Sequence, residues 1–158
     1  MVNDAVDWER VYRESYPSVY RALAATLLDA SLAQDALHDA FLEGLRRPPH
    51  HQANVAGWIF RVALRIANRS SLRSSRASQS AAGGASMQDE LSAVLDRLSV
   101  SQLLRLLTQR QRAIVVAFFF LDQSQDQIAE LLGVRRGTVA ATISQALVRM
   151  RKGGTDVS

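Results

Sequence analysis

There is no cysteine among the 158 residues, which excludes disulfides and Cys-based zinc sites. Proline occurs only three times, and β-type alternation of apolar and polar residues is hard to find. Hydrophobic residues make up 47% of the chain, yet no unbroken apolar run approaches the roughly 20 residues that a transmembrane helix requires. Membrane insertion is therefore not expected. The N-terminus, Met1-Val-Asn-Asp-Ala-Val-Asp-Trp, lacks the basic and apolar regions of a signal peptide. A cytoplasmic location is the simple expectation. The histidines His50 and His51 stand side by side, but no cysteine or well-spaced carboxylate supports them, so no metal is expected. There is no phosphate loop and no nucleophile–base constellation, which argues against an enzyme and for a protein without a cofactor.

What is present is helical periodicity and arginine. The fold class read from the pattern is all-α. Net charge is +4, and arginine, suited to bidentate contact with phosphates and guanine edges, supplies nearly all of the positive charge. The excess is uneven. Residues 100–158 hold eight Arg or Lys against four Asp or Glu, whereas residues 1–73 hold nine against eight.

Residues 7–28 read as a first amphipathic helix. Asp7 caps it, and Trp8, Val11, Tyr12, Tyr16, Val19, Tyr20, Leu23 and Leu27 form its apolar side. Pro17 predicts a kink or break. Ser31-Leu-Ala-Gln34 has the form of a capping box, so a second helix follows it to about Arg46. Its Leu37, Phe41 and Leu45 recur at core spacing. The opposite side carries Asp35, Asp39, Glu43 and Arg46, with His38 and Leu42 on a flank. Ordinary solvation is the usual explanation of such a charged face. Pro48 and Pro49 then open a loop. Asn54 caps a third helix running to about Arg73, with Val55, Trp58, Ile59, Val62 and Ile66 as its buried stripe. Arg61, Arg65 and Asn68 fall on another side, and Arg69, Arg73 and Arg76 follow. A row of arginines with few acids beside it suits a phosphate backbone.

A stretch rich in Ser, Ala and Gly, residues 70–86, has linker composition. It divides the chain into a first module at residues 1–73, a linker at 74–99, a second module at 100–152 and a tail at 153–158. The linker runs into the next helix through Leu91, Val94, Leu95 and Leu98. Residues 103–107 and a strongly apolar helix at 110–120 follow, with Phe118, Phe119 and Phe120 expected to pack under the last two helices. Those two helices have the layout of a helix-turn-helix. Ser124 and Gln127 form a capping box. Ile128, Leu131 and Leu132 make an apolar side. Gly133 suits a C-cap, and Val134 turns back inward. Val139, Ile143, Leu147 and Met150 form the buried stripe of the second helix, which would enter a major groove. A plain helical hairpin has the same spacing.

Taken together, the ordered modules resemble the extracytoplasmic-function (ECF) sigma factors of bacterial RNA polymerase. Ala33-Gln-Asp-Ala-Leu-His-Asp-Ala-Phe41 resembles a helix of the family's region two. Trp58-Ile-Phe-Arg-Val-Ala63 resembles its Trp-Leu-x-Arg-Ile-Ala run, and Leu107-Thr-Gln-Arg-Gln-Arg-Ala-Ile-Val-Val resembles the entry to region four. Ile128-Ala-Glu-Leu-Leu-Gly-Val with Gly137-Thr-Val resembles the region four helix-turn-helix. The resemblance implies a non-enzymatic initiation factor that binds core RNA polymerase and recognises −10 and −35 promoter elements.

Within that frame, Asp35, His38, Asp39 and Leu42 would bind the clamp helices of the largest polymerase subunit. The flap of the second-largest subunit would take region four. His50, His51, Asn54, Trp58, Arg61, Arg65 and Arg69 would serve the −10 element, where an unstacked base needs a shaped pocket. Arg135, Arg136, Thr138, Thr142, Gln145, Arg149 and Lys152 would read the −35 element. An anti-sigma factor is a further partner the family implies. The recognition helix departs from the family pattern: Arg135 takes the cap position, and Ala140, Ala141 and Thr142 follow Thr138 and Val139. Such a helix suits a protein whose two modest grips are held together on polymerase. Two other readings stay open, a stand-alone helix-turn-helix regulator and a protein-interaction module that has lost DNA binding.

Overall fold

The computed structural model describes residues 5–50, 53–77 and 98–155. Among them the secondary structure is seven helices and no strand, an all-α fold. The first helix, α1 (Trp8–Leu27), starts where Asp7 accepts the Arg10 N–H at 3.2 Å. It runs through Pro17 without the break that proline predicts. The missing hydrogen bond and ring clash cost about 3 kcal/mol. Val19 and Leu23 are fully buried two and six residues later, and each returns about 1.5–3 kcal/mol. Pro17 itself is exposed, so water can reach the carbonyl left without a partner. The helix ends at Leu28, whose φ of 55° lies in the left-handed region.

This early stop decides where the second helix begins. Helix α2 (Ala30–Arg46) is capped by Asp29, whose carboxylate accepts the Leu32 N–H at 3.0 Å. Ser31 therefore sits inside the first turn and does not cap it. Its core side is Ala33, Ala36, Leu37, Ala40, Phe41 and Gly44. Leu45, expected inside, is 59% exposed. The reason is angular: Gly44 lies seven residues after Leu37, in line with the buried stripe, while Leu45 is rotated toward solvent. Gly44 is there to admit Trp8. A Cβ built on it would lie 2.4 Å from the indole. Gly44→Ala is expected to lower stability by about 1–3 kcal/mol through overpacking. The checks are thermal denaturation, with Tm falling by several degrees, and a red shift of tryptophan emission as Trp8 is displaced.

Helix α3 (Val55–Ala77) extends four residues beyond the expected end, into the stretch of linker composition. Asn54 Oδ1 accepts the Gly57 N–H at 3.2 Å and caps it as expected. Ile59 and Val62 are buried, but so are Phe60, Ala63, Leu64 and Ala67. Burial on two sides follows from packing against α1 and α2 as well as against a later helix. Trp58 is partly buried, its ring centroid 6.2 Å from that of Trp8. Residues 78–97, which hold most of the expected linker together with Leu91, Val94 and Leu95, lie outside the described residues.

The chain resumes with α4 (Leu98–Arg105). Helix α5 (Gln109–Phe119) follows, capped by a reciprocal Thr108–Gln111 box. Five consecutive residues of α5, Ala113 to Ala117, are buried, because α1 packs on one side and the helix-turn-helix on others. Burial stops there. Phe118 is partly buried, but Phe119 and Phe120 are 52% and 48% exposed, not packed beneath the last helices as expected. Helices α6 (Gln125–Leu132) and α7 (Arg136–Thr155) complete the chain. Buried residues from α1 to α7 form one continuous core. The two expected modules are thus in contact, through α1 against α5 and α3 against α6.

Candidate nucleic-acid interface

Local sequence builds the helix-turn-helix. Ser124 Oγ accepts the Gln127 N–H at 3.0 Å, and Gln127 Oε1 accepts the Ser124 N–H at 2.9 Å. Gly133, at φ 66°, closes α6 in the left-handed conformation that glycine adopts without a Cβ penalty. Val134 then donates to the Ala129 carbonyl at 3.0 Å, a Schellman-type closure. Ile128, Val139 and Ala146 are fully buried, and Ile143 nearly so. Removing the cap with Ser124→Ala should cost about 1 kcal/mol. In urea denaturation this appears as a lower midpoint at unchanged slope.

Helix α7 presents its polar side outward. Arg135, Arg136, Thr138, Gln145, Arg149 and Lys152 are all exposed. Arg135 holds the cap position, its carbonyl accepting the Thr138 and Val139 N–H groups at 3.0 and 3.2 Å. Arg136 lies 3.6 Å from Asp126 in a solvent-exposed pair. Thr142 is only half-exposed and donates its hydroxyl to the Thr138 carbonyl at 2.7 Å. Its hydroxyl is therefore already spent as a donor. Arg149 reaches Gln111 of α5 at 3.4 Å, and the two help line a shallow groove with Gln145, Val148 and Lys152.

A second group forms around the start of α3. A groove of about 520 Å³ is lined by Arg47, Pro48, Pro49, His50, Asn54, Trp58 and Arg61, with Gln127, Glu130 and Leu131 of α6 on its far side. The structure thus brings His50, Asn54, Trp58 and Arg61 together. His51 lies outside the described residues. Arg65 and Arg69 stand further along α3 and line a larger groove of about 680 Å³ with Arg61, Arg110 and the apolar Leu64, Leu72, Leu131 and Leu132. That lining contains no carboxylate. Arg110 was not singled out from the sequence, although the Thr108 cap places it in the first turn of α5. Arg47 was missed as a side chain too, its signal being the Arg pair before Pro48.

On α2, Asp35, His38, Asp39 and Leu42 follow one another at i, i+3, i+4 and i+7 and are all exposed. Among the described residues, no hydrogen bond or ion pair occupies Asp35, His38 or Asp39. The aromatic rings behind this helix are linked: Trp8, Tyr12 and Tyr16 each meet Phe41 at centroid distances of 5.1–6.3 Å. Burial raises the Tyr16 pKa, with the neighbouring Tyr12 and Tyr20 adding to the effect. No three His, Cys, Asp or Glu side chains among the described residues are grouped as metal ligands would be.

Residues 97–150 match the family described as sigma-70, region 4, so the match runs from the start of α4 into α7. The similarity to whole proteins extends further. The chain is 28% identical to the ECF RNA polymerase sigma factor SigL of Mycobacterium tuberculosis, over 89% of this chain and 85% of that one. It is 27% identical to SigM of the same organism, over 96% of this chain and 79% of that one. The RNA polymerase sigma-E factor of Streptomyces avermitilis is 34% identical over a shorter stretch, 43% of this chain and 38% of that one. Along nearly its whole length the chain is thus similar to ECF sigma factors, and its last helices match region 4 of the sigma-70 family. No described helix of the chain is long and apolar enough to cross a membrane.

Proposed function

We propose that this protein is a sigma factor, and that it binds core RNA polymerase through the exposed face of Asp35, His38, Asp39 and Leu42. It then directs initiation by gripping two promoter elements. The observation that carries the proposal is the pairing, in one chain, of that unoccupied acidic face with a recognition helix whose cationic side is open to solvent. A stand-alone regulator has no use for the first. Arg135, Arg136 and Thr138 at the start of α7 are the base-reading set, where recognition helices make their contacts. Gln145, Arg149 and Lys152 hold the flanking backbone.

The groove of His50, Asn54, Trp58 and Arg61 takes an unstacked base of the −10 element, and Arg65 and Arg69 follow the strand. The division into a region-two module at 1–73 and a region-four module at 100–152 belongs to the same proposal. So do the clamp helices and the flap as contact points, and an anti-sigma factor as regulator. Reconstitution tests the reading. Core polymerase loaded with this protein should select a reproducible promoter class from a library and produce discrete transcripts. Absence of core binding, or transcripts identical to those of core alone, would sink it.

A further inference from the structure

Helix α3 carries no acidic residue along its 23 positions. Arg61, Arg65 and Arg69 recur on it at i, i+4 and i+8, a spacing that lines up like charges on one face and opposes helix formation. At about 1.5 Å per residue the row is about 12 Å long. Arg110, in the first turn of α5, stands across the groove of about 680 Å³ that the row lines. All four arginines are exposed, and none makes a hydrogen bond or ion pair among the described residues. The carboxylate of Glu130 belongs to the neighbouring groove, which shares only Arg61 and Leu131 with this one.

Between the arginines the surface is aliphatic. Leu64 and Ala113 form a floor only 8% and 5% exposed, and Leu131 and Leu132 are partly buried beside them. Among the described residues no aromatic ring lines the groove, so nothing there stacks on a base. The two amides in the lining engage each other, Gln109 Nε2 donating to Asn68 Oδ1 at 2.6 Å. That bond also ties α5 to α3. Arg112 Nε donates to the Thr26 carbonyl at 2.8 Å and ties α5 to α1, while Asn54 Nδ2 donates to Gln123 Oε1 and ties the start of α3 to the turn before α6. The groove is therefore pre-formed, and a ligand entering it has little to order.

Aliphatic side chains alone would exclude a charged ligand, and arginines alone would suit any hydrated polyanion. The two side by side select a molecule that is apolar at one end and anionic at the other. We propose that this groove binds a single-chain anionic amphiphile, an alkyl or acyl chain with a carboxylate or phosphate head. The chain lies on Leu64, Ala113, Leu131 and Leu132. Arg65 and Arg110 take the head from opposite walls, through the paired charge-assisted hydrogen bonds that a planar guanidinium gives. A volume of about 300–1,000 Å³ is usual for a small-molecule site. The site stands apart from the promoter reading. It has a consequence for that reading, because Arg61, Arg65 and Arg69 are also the arginines proposed for the −10 strand: amphiphile and strand exclude each other.

Isothermal titration calorimetry of the full chain with n-dodecyl phosphate, kept below its micelle concentration, tests the proposal. One molecule should bind per chain. Each methylene removed from a buried chain lowers affinity about fourfold, so decyl phosphate should bind about 15-fold more weakly. Arg65→Ala with Arg110→Ala should weaken dodecyl phosphate by about tenfold or more, at unchanged helicity by circular dichroism. Arg21→Ala with Arg105→Ala, which removes two exposed cations outside the groove, should leave it within about twofold. Affinity that ignores chain length, or inorganic pyrophosphate binding as well as dodecyl phosphate, would reduce the groove to a general anion site. Tighter binding of ATP would make it a nucleotide site. Binding to phosphatidylglycerol vesicles without binding of the monomer would make it a membrane contact, and affinity unmoved by the Arg65 and Arg110 substitutions would put the ligand elsewhere. Each of these results overturns the proposal. With dodecyl phosphate saturating, a labelled random-sequence single-stranded 20-mer should bind at least fivefold more weakly. Strand affinity unchanged at saturation would instead refute the placement of the −10 strand on these arginines and leave the ligand site standing.

Discussion

Alanine at both Asp35 and Asp39 is expected to weaken binding to core RNA polymerase by about 100-fold or more and to leave the fold intact. Both side chains are exposed on α2 without a partner among the described residues, so their loss removes no contact within the chain. Surface substitutions of this kind change stability by less than about 0.5 kcal/mol. In a complex each carboxylate supplies charge-assisted hydrogen bonds, worth about 1.5–3 kcal/mol apiece. Every 1.4 kcal/mol is tenfold in affinity, so two such contacts account for the expected factor. Fluorescence anisotropy of labelled protein titrated with core measures it. The stand-alone regulator reading expects no change in DNA binding and no core binding to lose. Glu9→Ala and Glu14→Ala on α1, whose carboxylates are engaged by Arg13 and Arg10, form a charge-matched control that should leave core affinity within twofold.

The helix-turn-helix was legible because its determinants are close in sequence. Ser124 and Gln127 are three residues apart and Gly133 ends the same helix, so a short window contains the whole capping chemistry. The same window misled at Ser31, where an equally good local pattern lost to Asp29. The left-handed turn at Leu28 left only that residue between two helices. Periodicity placed Leu37 and Phe41 correctly but carried Leu45 inward, since it could not know that Trp8 would fill the space above Gly44. What the sequence could not show at all is the contact between its halves. Asn54 to Gln123 spans 69 positions and Thr26 to Arg112 spans 86, and no spacing rule joins residues so far apart. For the same reason the arginines of α3 were legible as a row, whereas Arg110, which completes their groove from α5, was not.

The second large effect is expected at the start of the recognition helix. Arg135→Ala with Arg136→Ala should reduce specific initiation by about 30-fold or more from promoters that carry an upstream element, and abolish the footprint over that element. Core binding should stay within about twofold. A well-placed arginine on a guanine edge discriminates by about 1–3 kcal/mol, so two together reach at least that factor. The ion pair between Arg136 and Asp126 does not stand in the way. Its side chains are 66% and 72% exposed at a separation of 3.6 Å, and such surface pairs contribute about 0–1 kcal/mol. A phosphate or base edge takes the guanidinium over at little cost. Asp126→Asn should accordingly change promoter affinity by less than about threefold. A larger gain would mean that Asp126 withholds Arg136 from DNA. Footprinting the reconstituted holoenzyme beside single-round transcription separates the outcomes. If initiation survives the double alanine variant with the upstream footprint intact, α7 does not read the promoter through Arg135 and Arg136.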